Sequence, residues 1–316
     1  MDPRAFIDHA AFHASDRLAS ALRSAAAHGT PAYALLSPER PVIDDLAGVP
    51  ADATFLATRG TARLADRIGE LARLQTVWIH PASDAMVRQI PRLSDLRALY
   101  VGRCGRVDLG PIGDCSSLQH LVLDGVPLLT DLSFLAALPR LRTLFVQGAR
   151  RLDLDTIAPL PRLAALHLAG APSATLRVES LAALARLGTL RHLTLENVRP
   201  ADGSLRPLAT LQRLREVHVP NGLEIEEYAR LAGALPHAVG AATTPFYAEF
   251  TARPGVELLF RCEHCGRTRA LMTGRPAALL CPECDAATVR RRVARWEAAR
   301  GSSWPTGESS GTGTQH

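Results

Sequence analysis

One phrase occurs twice within residues 130–170 of this chain: L-x-x-[LI]-x-x-L-P-R-L-x-x-L-x-[LV], first from Leu132 to Val146, then from Leu154 to Leu168. A self-similarity with a period near 22 decides architecture before any local propensity does, because a unit that short cannot bury its own apolar face and must stack on its neighbours. The first leucine of the closing L-x-x-L-x-[LIV] recurs as Leu74, Leu96, Leu118, Leu141, Leu163, Leu190 and Leu214. The steps between them are 22, 22, 23, 22, 27 and 24 residues. Columns three and five residues after this anchor, and three, six and nine before it, are equally regular. Of the forty-two positions (seven copies of six columns), only Ala65 and Cys115 are not Leu, Ile or Val.

On these residues the chain resembles the leucine-rich-repeat family, and its short units are similar to the 22-residue class seen in internalins and related bacterial proteins. The likeness covers about residues 40–245. It implies an α/β solenoid: a curved parallel sheet of one short strand per repeat, backed on the convex side by brief 3₁₀ or α turns. The fold implies little about function, because one scaffold serves many roles. The family's usual Asn or Cys eight residues after the anchor is matched only by Cys104, the other positions holding Ala82, Val126, Ala149, Ala171, Val198 and Gly222.

The chain in order reads as five parts. Residues 1–30 form an N-terminal helical cap, with Phe6, Leu18 and Leu22 among alanines, closing the open end of the array. Residues 31–242 are the solenoid and its C-terminal cap. Within them 31–60 is a degenerate unit placing Ile43, Leu46, Val49, Phe55 and Ala57 on the repeat columns, and 224–236 is an amphipathic helix. The long fifth step inserts a surface loop around 171–180. Residues 243–256 are a linker, 257–300 a small cysteine-bearing module ending in a basic helix, and 301–316 a disordered tail.

In a stacked parallel sheet, side chains alternating with the spine face the other way. The central row of that concave face, four residues after each anchor, is Trp78, Tyr100, Val122, Phe145, His167, Thr194 and His218; His120 and His192 stand in the row beside it. The chain has only 15 aromatic residues, yet three of the seven central sites are aromatic. Clustered aromatics are how interfaces obtain anchor energy, often about 2 kcal/mol or more each. Strand preference for aromatics is the plainer reading. A metal site built from His167, His192 and His218 would need three strands to converge with no carboxylate fixed nearby by the sequence, so ordinary polar contacts explain these histidines better.

The strongest chemical signal is Cys262-Glu-His-Cys265-Gly266, followed after 15 residues by Cys281-Pro-Glu-Cys284. Two C-x-x-C pairs let two tight turns each present two thiolates, a tetrahedral S₄ set suited to structural Zn²⁺. The arrangement resembles zinc-ribbon knuckles, with Gly266 relieving the first turn and Asp285 standing where the second would have glycine. ELLF (257–260) and ALL (278–280) are the expected ribbon strands. Iron in a rubredoxin-like site takes the same ligands, whereas disulfides suit a reducing compartment poorly. Cys104 and Cys115 fall on repeat columns and belong to the core.

Every basic residue is Arg, and the formal net charge of +5 is concentrated. Residues 253–300 hold 10 Arg against 5 acids, and Arg290, Arg291, Arg292 and Arg295 crowd the terminal helix as candidate phosphate contacts. No apolar run reaches the ~18 residues of a membrane span. The N-terminus carries acids and histidines where a signal peptide needs a basic and then an apolar stretch, so a cytoplasmic location is expected. No glycine-rich phosphate loop, nucleophile elbow or paired helical metal-binding histidines occur. The combined reading is a non-enzymatic scaffold that binds a protein on the concave face and carries a structural zinc ribbon. The alternative is a nucleic-acid-associated factor using the basic module while the repeats recruit a protein.

Overall fold

The computed structural model describes residues 42–157, 160–171, 174–247 and 261–304. The N-terminal helical cap expected over residues 1–30, the ELLF segment, most of the linker and the tail beyond residue 304 lie outside the described residues. Nine strands form one parallel sheet in sequence order: β1 (Ile43–Asp45), β2 (Phe55–Arg63), β3 (Thr76–Ile79), β4 (Ala98–Gly102), β5 (His120–Asp124), β6 (Thr143–Ala149), β7 (Ala165–Gly170), β9 (His192–Glu196) and β11 (Glu216–His218).

The 22-residue period appears directly as register. Val77 pairs with Leu99, Leu99 with Leu121, Leu121 with Leu144, Leu144 with Leu166 and Leu166 with Leu193. One repeat therefore advances the chain by one strand, about 4.8 Å. The L-x-x-L-x-x-L portion closes 3₁₀ turns at Ala65–Glu70, Ile90–Arg92, Gly110–Asp114, Ser133–Ala137, Leu154–Thr156, Ala182–Arg186 and Arg206–Thr210, with one short helix, α1 (Asp84–Val87). A spacing of three suits three residues per turn. The same bond recurs at each: the amides of Leu71, Leu138 and Leu211 donate to the carbonyls of Ile68, Leu135 and Leu208.

Strand and turn leucines meet in one continuous core. All of the repeat columns are buried in it except Ala65, which packs against it half-buried. Cys104 and Cys115 lie in this core, and burial pushes both thiols up to about 12, which leaves them inert.

Two features depart from the sequence reading. The degenerate first unit is out of register by one residue: Leu56, not Phe55, pairs with Val77, and Ala57 pairs with Trp78. Leu56 stands 21 residues before Val77, one short of the period, and a one-residue slip exchanges faces. Leu56 therefore enters the spine, while Phe55 and Ala57 join the opposite face. The insertion after the fifth clear repeat is also more than a loop. Its β8 (Leu176–Val178) pairs in parallel with β10 (Val198–Pro200), a small second sheet that keeps the longer units stacked.

Helix α2 (Ile225–Ala234) closes the last turn with Ile225, Tyr228, Ala229 and Leu231 buried. The cysteine module follows as a three-stranded antiparallel sheet, β12 (Phe246–Tyr247), β13 (Ala270–Met272) and β14 (Ala278–Leu280), leading into α3 (Ala286–Arg300). Its first strand, Phe246–Tyr247, comes from the stretch read as linker and pairs with Leu271 and Met272.

Candidate functional site

The face of the sheet away from the spine carries a second apolar cluster. Ala57, Trp78, Ala98, Tyr100, Val122 and Phe145 form it, with Val42 and Phe55 packed against it. Consecutive strands place these residues side by side: Trp78 beside Tyr100, Tyr100 beside Val122, Val122 beside Phe145, Phe145 beside His167 and His167 beside Thr194. The Trp78 and Tyr100 rings stack at 5.1 Å, and those of Phe145 and His167 at 4.2 Å. Thr76, Ala98, His120, Thr143 and Ala165 run alongside as a row of small or polar buried side chains.

This row is far less open than a bare binding face. Tyr100 is 2% exposed, Val122 1%, Phe145 0% and Trp78 9%, while His167 and Thr194 are buried and His192 and His218 half-buried. Trp78 Nε1 and both ring nitrogens of His167 are buried with no hydrogen-bond partner among the described residues. Such groups cost about 1–3 kcal/mol each when left unsatisfied.

Charge sits only along the edges. The Tyr100 hydroxyl donates to Asp124 Oδ2 at 2.8 Å, and burial pushes that carboxyl above its usual range. Beside it His80, Arg103, Gln147 and Arg150 line an open groove of about 700 Å³ at the strand ends, in which neither arginine belongs to the concave rows read from the sequence. Towards the last strands two carboxylates join, Glu196 in the row of Asp124 and Glu216 in the row of His192. His218 Nε2 meets Glu216 Oε1 at 2.8 Å, His192 Nδ1 lies 4.0 Å from Glu216 Oε2, and His167 Nε2 lies 3.8 Å from Glu196 Oε2. Desolvation, with His218 nearby, lowers the His167 pKa to about 3, so its ring is neutral.

The second site is the cysteine cluster. Cys262, Cys265, Cys281 and Cys284 bring their sulfurs within 4.8 Å of one another, and among the described residues no other group of three or more ligand-type side chains does so. Cys262 and Cys284 sulfurs are 3.7 Å apart and those of Cys265 and Cys281 3.4 Å. A tetrahedral S₄ set with metal–sulfur bonds near 2.3 Å has edges of about 3.8 Å, so the donor set fits a metal ion. Gly266, at φ +71°, turns the first knuckle and donates its amide to the Cys262 carbonyl at 2.8 Å. Asp285 shapes the second knuckle differently: its carboxylate accepts from the Cys281 amide at 2.8 Å while its own amide donates to the Cys281 carbonyl. The backbone amides of Cys265 and then His264 draw the Cys262 thiol down to about 6. Four thiolates this close repel unless a cation lies among them.

The module does not stand apart from the repeats. Trp296 of α3 is buried in the solenoid core together with Ala299, and Trp304 packs against the same core. Asn221 Nδ2 donates to the Met272 carbonyl at 2.8 Å, and Trp304 Nε1 donates to Glu227 Oε1 at 3.0 Å. An added Cβ at Gly233 of α2 would collide with the Arg300 carbonyl, so the two helices touch along their backbones.

Two of the four candidate phosphate contacts are taken up in this docking. Arg295 pairs with Glu226 at 2.9 Å and lies 3.8 Å from Glu224, and Arg292 donates to the Thr273 and Gly274 carbonyls at 3.2 and 3.0 Å. Only Arg290 and Arg291 point into solvent without an acidic partner among the described residues.

No family model and no curated protein matches the sequence. Among solved structures, the chain is similar to a leucine-rich-repeat protein of Leptospira interrogans, at 20% identity and a TM-score of 0.50, over 62% of this chain and 51% of that one. It is also similar to an internalin of Listeria monocytogenes, at 18% identity and a TM-score of 0.42, over 55% of each chain. The chain spans about half the length of these two structures. At such identities the likeness concerns architecture alone, and with the register described above it establishes that the nine-stranded parallel array, residues 43–218, folds as a leucine-rich-repeat solenoid.

Proposed function

We propose that the protein is a non-enzymatic interaction scaffold that binds a protein partner along the sheet face opposite its spine. One observation carries this reading: a leucine-rich solenoid needs a single apolar face per strand, and this one has two. The spine explains the leucines, but not a row of Trp78, Tyr100, Val122 and Phe145 on the other side. Apolar surface of this kind is stable only under cover. The orphaned Trp78 and His167 nitrogens offer polar anchor points within it. Nine strands at about 4.8 Å give a face nearly 40 Å long, enough for a standard interface.

Within this reading the four cysteines hold structural Zn²⁺, which fixes the module against α2, and the chain works in a reducing compartment such as the cytoplasm. When bound, the ion supplies charge neutralisation and a rigid cross-link. The chain's own Trp296, Asn221 and Arg295 carry that rigidity into the last repeat.

The test is capture from a lysate with three forms of the full chain: wild type, Trp78→Ala/Tyr100→Ala, and Arg290→Ala/Arg291→Ala, the fold of each checked by circular dichroism. Loss of two anchors should weaken the specific partner by about thirtyfold or more, while the arginine pair leaves it unchanged. A captured set indifferent to Trp78 and Tyr100 sinks the reading.

A further inference from the structure

The described residues that build the apolar trough are all strand residues of the sheet, apart from Val42, which lies just ahead of β1 and packs against the cluster. Yet the floor is closed, with Phe145 at 0% and Val122 at 1% exposure. Val42 is also the first described residue, and it stands at the end of this face where Ala57 and Trp78 lie. We propose that the N-terminal segment, residues 1–41, occupies the trough as an intramolecular pseudo-ligand and must leave before a partner binds.

Reach, polarity and elimination support this occupant. Forty-one residues span about 60 Å as a helix and about 140 Å extended, against roughly 40 Å across nine strands. The segment has four acids and four arginines, no net charge, and apolar residues at Phe6, Ile7, Phe12, Leu18 and Leu22. That matches a floor of neutral side chains bordered by charge only at its edges, through Asp124, Glu196 and Glu216. The two other long segments outside the described residues start elsewhere. Residues 248–260 join Tyr247 of β12 to Arg261 within the cysteine module, and residues 305–316 follow Trp304, which is held by Glu227 at the far end of the array.

Release of the segment as a step in recognition rests on the partner reading above; occupancy of the trough does not, and the experiment reads occupancy without any partner. In the full chain, Gln147 at the trough edge is replaced by p-benzoylphenylalanine and irradiated. The expected product is an intrachain cross-link to a peptide from residues 1–41. Cross-links between two copies, or only to residues 248–260 or 305–316, overturn the proposal.

Hydroxyl-radical footprinting of the unaltered full chain should find Trp78 protected to the same degree as the core residue Trp296. The full-length variant Phe6→Asp/Leu18→Asp/Leu22→Asp should raise Trp78 oxidation at least about fivefold while Trp296 stays protected. Trp78 freely oxidised in the unaltered chain, or equally protected in the variant, overturns it as well. If trough occupancy holds and no partner is found, only the scaffold reading fails.

Discussion

His167 lies between the Phe145 ring, stacked on it at 4.2 Å, and the Glu196 carboxylate at 3.8 Å, with His218 close enough to disfavour a second positive charge. Its pKa is lowered to about 3 against 6.5 for a free imidazole, with desolvation the leading cause. Below pH 6.5 the unfolded chain therefore takes up a proton that the folded chain refuses. Stability is full above that value and falls as pH drops toward 3, by about 1.4 kcal/mol per unit for this one group. Denaturant unfolding at pH 6.5 and 5 should show His167→Phe losing about 2 kcal/mol less than wild type over that interval. Equal losses would show the ring to be solvated. At the same scale, Tyr100→Phe removes the donor from the buried Asp124 carboxylate, and a loss of about 1–3 kcal/mol is expected in the same assay. The sequence placed both residues on the correct face, because alternation along a strand is strict. It could not reveal that the face is covered, since periodicity separates two sides of a sheet without saying what lies against either. The alternation also put Glu216 two residues before His218 on the same face, whereas the 3.8 Å approach of Glu196 to His167 depends on how side chains lean across strands.

Among elements, the spine is the most legible part of the molecule, and the first unit shows why legibility ended there. Leu144 and its counterparts repeat at a spacing close enough to 22 for register to be read off directly. Between β2 and β3 the step is 21 residues rather than 22, which moved Phe55 and Ala57 to the other face, and no local signal marks such a change. Truncating the buried spine residue Leu144 to Ala should cost about 2–5 kcal/mol in chemical unfolding. Helix α3 was legible only as an apolar stripe; the bed that receives Trp296 is in the solenoid, 60 or more residues away in sequence along much of its length. Trp296→Ala should therefore cost about 3–5 kcal/mol and loosen the module. Glu226→Gln, which breaks a half-exposed ion pair, should cost under about 1 kcal/mol. Comparable losses from the two variants would mean that the helix is held by charge rather than by burial.

At the level of the whole molecule, the solenoid core takes in Trp296 and Ala299 of α3, so a metal held by the four cysteines would be coupled to repeat stability. Adding a strong chelator to the purified chain should release one Zn²⁺ per molecule, change the near-ultraviolet signal of the buried Trp296 and lower the thermal midpoint, with Cys281→Ser already in the low state before chelation. A chain that binds no metal, or that loses metal with an unchanged midpoint, would uncouple the two. The module's charge has a whole-molecule consequence too. With Arg292 and Arg295 engaged internally, whatever the four candidate contacts contribute to nucleic-acid affinity rests on Arg290 and Arg291, and Arg290→Ala/Arg291→Ala should flatten the slope of log affinity against log salt by no more than about 2.

The clasp formed by Asn221, Gly233 and Trp296 against the last turn also bears on how such a chain can change length over generations. A duplicated unit added after β11 would separate Trp296 from its bed and leave α3 facing a surface it does not fit. New copies can enter only between existing ones, where each strand already resembles its neighbour, as β8 and β10, paired across two adjoining long units, show. The terminus is thus the conservative part of the array, and its interior is where descendants can differ.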